Sequence, residues 1–154
     1  MLLNFSNGEP FATGAVGYTF RPATARENLN RLILQVEIEG IQTEAMVDTG
    51  GVFLVCPPQI ANLMQLDESD SLGEETIGIR GSDVPGRLHR VNITLLVEEG
   101  QSIAVEVTAL IPKDTREERW FSELPCYLGL HGCLERLRFA VDPSTDTFYF
   151  GPIS

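Results

Sequence analysis

An Asp-Thr-Gly-Gly tetrad, residues 48–51, interrupts an apolar run that otherwise reads as one buried strand. Ala45, Met46 and Val47 precede it, and Val52, Phe53, Leu54 and Val55 follow. A continuous buried strand has no use for a carboxylate, a hydroxyl and two glycines at its centre, because buried polar groups need partners. Two short strands meeting at a tight loop do. The paired glycines allow positive φ or close approach of a second backbone, so the loop would present Asp48 from a packed base. The same four residues also suit an ordinary hairpin turn, for which Asp and Gly have good local chemistry. The tetrad alone leaves both readings open.

The chain has 154 residues, enough for one domain with a real core. Its apolar fraction of 43 % and mean hydropathy near zero predict a soluble globule. A formal net charge of −11 argues against non-specific binding to nucleic acid or to an anionic membrane, since both need basic patches. No stretch reaches the roughly 20 apolar residues of a membrane helix. The first ten residues carry no basic segment and no long apolar core, so a signal peptide is not expected. Cys56, Cys126 and Cys133 make an odd count without CxxC spacing, which fits a reducing, cytoplasmic location better than a disulfide framework.

Residues 1–30 are broken by Gly8, Pro10, Gly14, Gly17 and Pro22 and read as an N-terminal arm, with Phe11, Val16, Tyr18 and Phe20 available to pack on the body. Beyond it, Leu34, Val36 and Ile38 alternate with Gln35, Glu37 and Glu39, the period of a half-buried strand. Gly40 marks a turn into a second strand, Thr43 to Asp48. Val52 to Cys56 returns as a third, stopped by Pro57-Pro58, which suits the first turn of a short helix carrying Ile60, Ala61, Leu63, Met64 and Leu66. Met64 reads as core. After an acidic loop, residues 76–91 form two β-like arms around a tip rich in Gly, Ser, Asp and Pro. Gly78, Gly81 and Gly86 would make this hairpin mobile, as suits a lid, although an ordinary surface hairpin has the same composition. Val91 to Val97 and Ile103 to Ile111 are two further strands joined around Glu98 to Gln101. Residues 112–125 are a charged loop carrying Trp120 and Phe121. Cys126 to Gly129 is a short apolar strand running into one or two helical turns, and a hairpin around Asp142-Pro143-Ser144 ends the chain. Many short strands, frequent turns and one or two short helices predict an all-β, closed, barrel-like sheet.

In this order the segments resemble the retropepsin-like aspartic proteases, in particular the small single-domain bacterial type. Val47-Asp48-Thr49-Gly50 matches the catalytic motif. The glycine-bearing hairpin at 77–91 matches the flap. Tyr127-Leu128-Gly129, continuing through Gly132-Cys133-Leu134-Glu135-Arg136, looks like the apolar-apolar-Gly segment and its short helix. The resemblance covers about residues 31–151, which makes 31–154 the protease-like domain, the acid-protease half fold. Three positions depart from it. Gly51 stands where Ala is usual, Cys133 where bacterial relatives often carry Phe, and the flap tip is polar, with Asp83 and Pro85.

The resemblance implies an aspartic endopeptidase. Such chemistry uses two carboxylates that share one proton. This chain holds a single Asp-Thr-Gly, since Asp70-Ser71, Asp114-Thr115 and Asp146-Thr147 lack the following glycine. The resemblance therefore implies a homodimer with Asp48 of each chain at the two-fold axis. Asp48 would be the acid/base, Thr49 would bond across the dyad, and Gly50 would bring its backbone to the carboxylate. Gly51, Ile79, Arg80, Gly81 and Ser82 would meet an extended peptide or protein substrate. No metal and no organic cofactor is implied. A different class of reading is a catalytically inactive dimer of the same fold that binds peptides or scaffolds a complex. A third is a metal site drawn from Cys56, Cys126, Cys133, His89 and His131, whose spacing matches no standard zinc pattern. Arg80, Arg87, His89 and Arg90 form a small basic cluster, readable as a solvated hairpin face or as a selector of substrate.

Overall fold

The alternation that begins at Leu34 sorts the whole sheet into two faces. The computed structural model describes residues 2–113 and 124–153. Among them are twelve strands: β1 (Gly14–Gly17), β2 (Thr19–Pro22), β3 (Asn30–Ile38), β4 (Ile41–Val52), β5 (Leu54–Val55), β6 (Gly73–Ile79), β7 (Ser82–Leu95), β8 (Glu99–Gly100), β9 (Ile103–Pro112), β10 (Cys126–His131), β11 (Leu137–Asp142) and β12 (Thr147–Pro152). One α-helix, α1 (Pro58–Met64), follows β5, and Pro58 opens it where its missing N–H costs nothing. Short 3-10 turns cover Glu68–Asp70 and Leu134–Arg136.

The larger sheet runs β2-β3-β4-β10-β5-β9-β7-β6, and a further pairing of β3 with β7 brings its ends together. The ring β3-β4-β10-β5-β9-β7 is thereby closed. This is the expected all-β, barrel-like architecture. Because successive side chains point to opposite faces, each strand feeds two clusters. Leu34, Val36 and Ile38 of β3, Ala45 of β4, Leu54 of β5, Ala109 of β9 and Leu128 of β10 go to the main core. Their neighbours Ile33, Met46, Val55 and Leu110 go to a second cluster on the other face, together with Ile79. Met64 packs at the edge of the main core.

The smaller sheet runs β11-β12-β1-β8. Its Phe148 and Phe150 are fully buried in the main core, and Phe139 stacks on Phe148 at 5.8 Å. Residues 14–22, within the segment read as an arm, supply β1 and β2. Val16 and Tyr18 are buried, whereas Phe20 faces solvent. Two local expectations change. Glu99–Gly100, read as part of a plain connection, is a short strand paired with Gly14 and Ala15. Gly86 lies within the β7 pairing, opposite Glu75 and Pro112, and an added Cβ there would fall 2.7 Å from the Ile111 carbonyl oxygen. It serves close approach, not mobility. The residues around Trp120 and Phe121 lie outside the described part.

Candidate active site

β10 lies between β4 and β5, parallel to the first and antiparallel to the second. Those two strands are consecutive in the chain and separated only by Phe53. The chain must therefore turn sharply around the end of β10. Phe53 makes that turn with φ +63°, a left-handed conformation that costs a non-glycine residue about 1–2 kcal/mol. Its backbone is bonded on both sides to β10. Phe53 N–H donates to the His131 carbonyl at 2.7 Å, and its own carbonyl accepts from Gly129 N–H at 2.9 Å.

The register places Gly129 beside Asp48 and His131 beside Val52. Over that interval β4 has two more residues than β10, so Thr49, Gly50 and Gly51 bulge from the ladder. The Asp-Thr-Gly-Gly segment is thus a bulge in an extended strand and not an isolated turn. Gly50 N–H donates to Asp48 Oδ1 at 3.1 Å, which orients the carboxylate. Neither Gly50 nor Gly51 has positive φ. A Cβ at 50 would meet Asp48 Oδ1 at an ordinary 3.5 Å, and one at 51 would press on Oδ2 at 3.3 Å.

Asp48 lines a cavity of about 360 Å³ on the face that carries the second cluster. Met46, Val55, Ile77 and Ile79 give it apolar walls, and Arg31, Arg80 and Tyr127 give it polar ones. The β6–β7 hairpin borders it through Ile77, Gly78, Ile79 and Arg80. Ile79 pairs with Ser82 across the two-residue turn Arg80-Gly81, whose φ values are +53° and +81°. Both are positive, as a type I′ turn requires. Arg80 is anchored there by an ion pair to Glu27 and by a hydrogen bond from its Nε to the Tyr127 hydroxyl at 2.9 Å. Ile79 is 3 % exposed, so the hairpin lies down on the sheet.

Of the residues singled out from sequence, Asp48, Gly50, Gly51, Ile79 and Arg80 meet at this cavity. Thr49 is exposed beside it. Gly81 and Ser82 complete the hairpin turn and are not among the lining residues. Arg31 and Tyr127 line the cavity without having been singled out. Arg31 is two residues before Ile33, and Asp48 two after its partner Met46, so the β3–β4 register carries both to one face. The strand period gave that signal once the pairing was known.

The basic cluster separates. Arg87 pairs with Glu68 at 3.3 Å, Arg90 donates to Thr108 Oγ1 at 2.5 Å, and His89 is buried. Only Arg80 reaches the cavity. Cys56, Cys126 and Cys133 are free and buried. Burial pushes the Cys133 thiol up to about 12, and a hydrogen bond with Cys126 together with burial raises Cys56 well above the usual thiol range. These are protonated core groups. Among the described residues no three His, Cys, Asp or Glu side chains gather to hold a metal, and no helix is long and apolar enough to cross a membrane.

The chain matches no family model and no curated protein sequence. Among solved structures it aligns with a retropepsin-like aspartic protease from Rickettsia conorii over 89 % of both chains, with a TM-score of 0.56 and 14 % sequence identity. The chain has the retropepsin-like fold. The parallel β4–β10 pairing sets the segments carrying Asp48 and Gly129 side by side. At 14 % identity the likeness rests on architecture; the chemistry has to be argued from the cavity itself.

Proposed function

We propose that this protein is an aspartic endopeptidase that works as a homodimer, in a reducing cytoplasm. The observation that carries the reading is Asp48, held by Gly50 N–H on a bulge and opening into a cavity of about 360 Å³ bordered by a β-hairpin. One carboxylate cannot both activate water and protonate the scissile carbonyl. Two carboxylates about 3 Å apart can, because their repulsion keeps one proton between them. The second is supplied by Asp48 of a partner chain.

The surface around the bulge supports this. Thr49 and Gly50 are exposed, and the aliphatic Val52 and Leu130 beside them are 38 % and 40 % exposed. A second copy would cover them and bring Thr49 to its own counterpart. An extended peptide would then lie between the bulge and the hairpin, which serves as the flap, with Gly51, Ile79, Arg80, Gly81 and Ser82 along its path. Main-chain hydrogen bonds of the added-strand kind give such binding its affinity. The buried, reduced cysteines support a reducing compartment.

Cleavage of a mixed peptide library near pH 5 and pH 7, comparing wild type with Asp48→Asn and with pepstatin present or absent, tests the proposal. Cutting by wild type that is lost in a folded Asp48→Asn establishes the reading. A folded dimer that retains peptides without cutting them overturns the enzyme and leaves a peptide-binding module.

A further inference from the structure

The segment between β2 and β3 reaches the hairpin tip. Ala23 is buried in the second cluster, 5 % exposed, and anchors the start of this segment. Glu27 N–H then donates to the Thr24 carbonyl at 3.2 Å and Arg26 N–H to Thr24 Oγ1 at 3.3 Å, which turns the chain back toward the cavity. Glu27 Oε1 meets the Arg80 guanidinium, and the two side chains are only 20 % and 28 % exposed. From the other side the hydroxyl of Tyr127, two residues before Gly129, accepts from Arg80 Nε. Arg80 is thus gripped from two elements distant in sequence, at the hairpin turn that borders the Asp48 cavity.

We infer that Glu27 and Tyr127 form a latch on Arg80 that holds the hairpin shut over Asp48, and that a substrate enters when the latch opens. The inference rests on the protease reading for its purpose but not for its test. Glu27 Oε2 is buried and without a hydrogen-bond partner in the described structure. A partly exposed ion pair is worth little, so the closed state is held with little to spare. Glu27 and Tyr127 act through Arg80 and are positioning residues.

Hydrogen exchange on the full-length protein reads the latch without any cleavage. In Glu27→Gln, amides from Ile77 to Val84 should exchange roughly tenfold faster while those of β3 and β9 keep their protection. Tyr127→Phe removes one hydroxyl from the same grip and should act in the same direction with a smaller effect. Arg80→Met removes both contacts and should exceed Glu27→Gln, and adding Glu27→Gln to Arg80→Met should change nothing further, because the Glu27 contact is already gone. Unchanged protection at the hairpin in Glu27→Gln and Tyr127→Phe overturns the latch. So does an additive double variant, or a loss of protection spread over the whole barrel. If exchange behaves as expected and no peptide is cut, the latch stands and the protease reading falls.

Discussion

Gly129 pairs with Asp48 across the parallel β10–β4 ladder, and the backbone of Val52 and Phe53 fills the place where a Gly129 side chain would begin. An added Cβ would lie 2.6 Å from the Phe53 carbonyl oxygen and 2.6 Å from the Val52 carbonyl carbon. The sharp bend at Phe53 is therefore possible only against a glycine. Two stretches 81 residues apart in sequence, at Asp48 and Gly129, meet there.

Gly129→Ala should push the Val52–Phe53 bend away from β10, since backbone atoms cannot swing aside as a side-chain end can. Overpacking of this kind costs about 1–3 kcal/mol. A fall in Tm of roughly 5–10 °C follows for a chain of this size, together with loss of any peptide cleavage. Thermal unfolding unchanged from wild type would show that the bend has more freedom than the contacts allow.

Gly51→Ala restores the residue usual in the family pattern and should be tolerated. The new Cβ meets the Asp48 carboxylate at 3.3 Å, a contact that a small rotation of that side chain relieves, and Gly51 has no positive φ to strain. Tm should stay within about 3 °C of wild type, and any cleavage rate within about tenfold. A severe loss of folding would mean that the bulge is held more tightly than Asp48 alone explains.

A site built from two copies of Asp48 depends on concentration. Cleavage per chain should fall on dilution below the dimer dissociation constant, and sedimentation should show the dimer breaking up over the same range. Specific activity independent of concentration down to a monomeric population would remove the shared dyad.

His89 sets one pH dependence of stability. Burial lowers its pKa from the ordinary histidine value, Arg87 nearby lowers it further, and Asp70 and Glu68 oppose the shift more weakly. In the window below pH 6.5 the unfolded chain takes up the proton before the folded one does. Stability is then fully present above pH 6.5 and declines as pH falls toward the folded pKa. His89→Gln should flatten the difference in Tm between pH 7.5 and pH 5.5. An identical difference in the variant would assign the effect to other groups. Cleavage assays at acidic pH need this comparison, because loss of fold and change in the dyad otherwise coincide.

Local signals located the separate parts of the site. Apolar flanks around a polar tetrad located Asp48, and Pro57-Pro58 located the start of α1. The hairpin was legible from its glycines, but its tip was not. Asp83 and Pro85 were read at its tip, whereas they pair with Gly78 and Thr76 and the turn falls at Arg80-Gly81. Turn residues mark where a chain can bend, and the register between β6 and β7 decides where it does. The Asp-Thr-Gly-Gly segment misled in a similar way. It has turn chemistry, yet it is a bulge within β4, because β10 pairs with β4 at Asp48 and again at Val52.

By itself the sequence determined the all-β class, because alternation with period two assigns each strand an inner and an outer face without reference to its neighbours. It also determined that one chain carries one Asp-Thr-Gly. Tertiary structure alone decided which of those faces meet. Arg31, Tyr127 and Glu27 reach the cavity or the Arg80 that borders it through strand register and a turn anchored by Ala23. Nothing local distinguishes them from other surface residues. Their place depends on closure of the barrel between β3 and β7 and on insertion of β10 between β4 and β5, contacts set by packing between segments far apart in the chain.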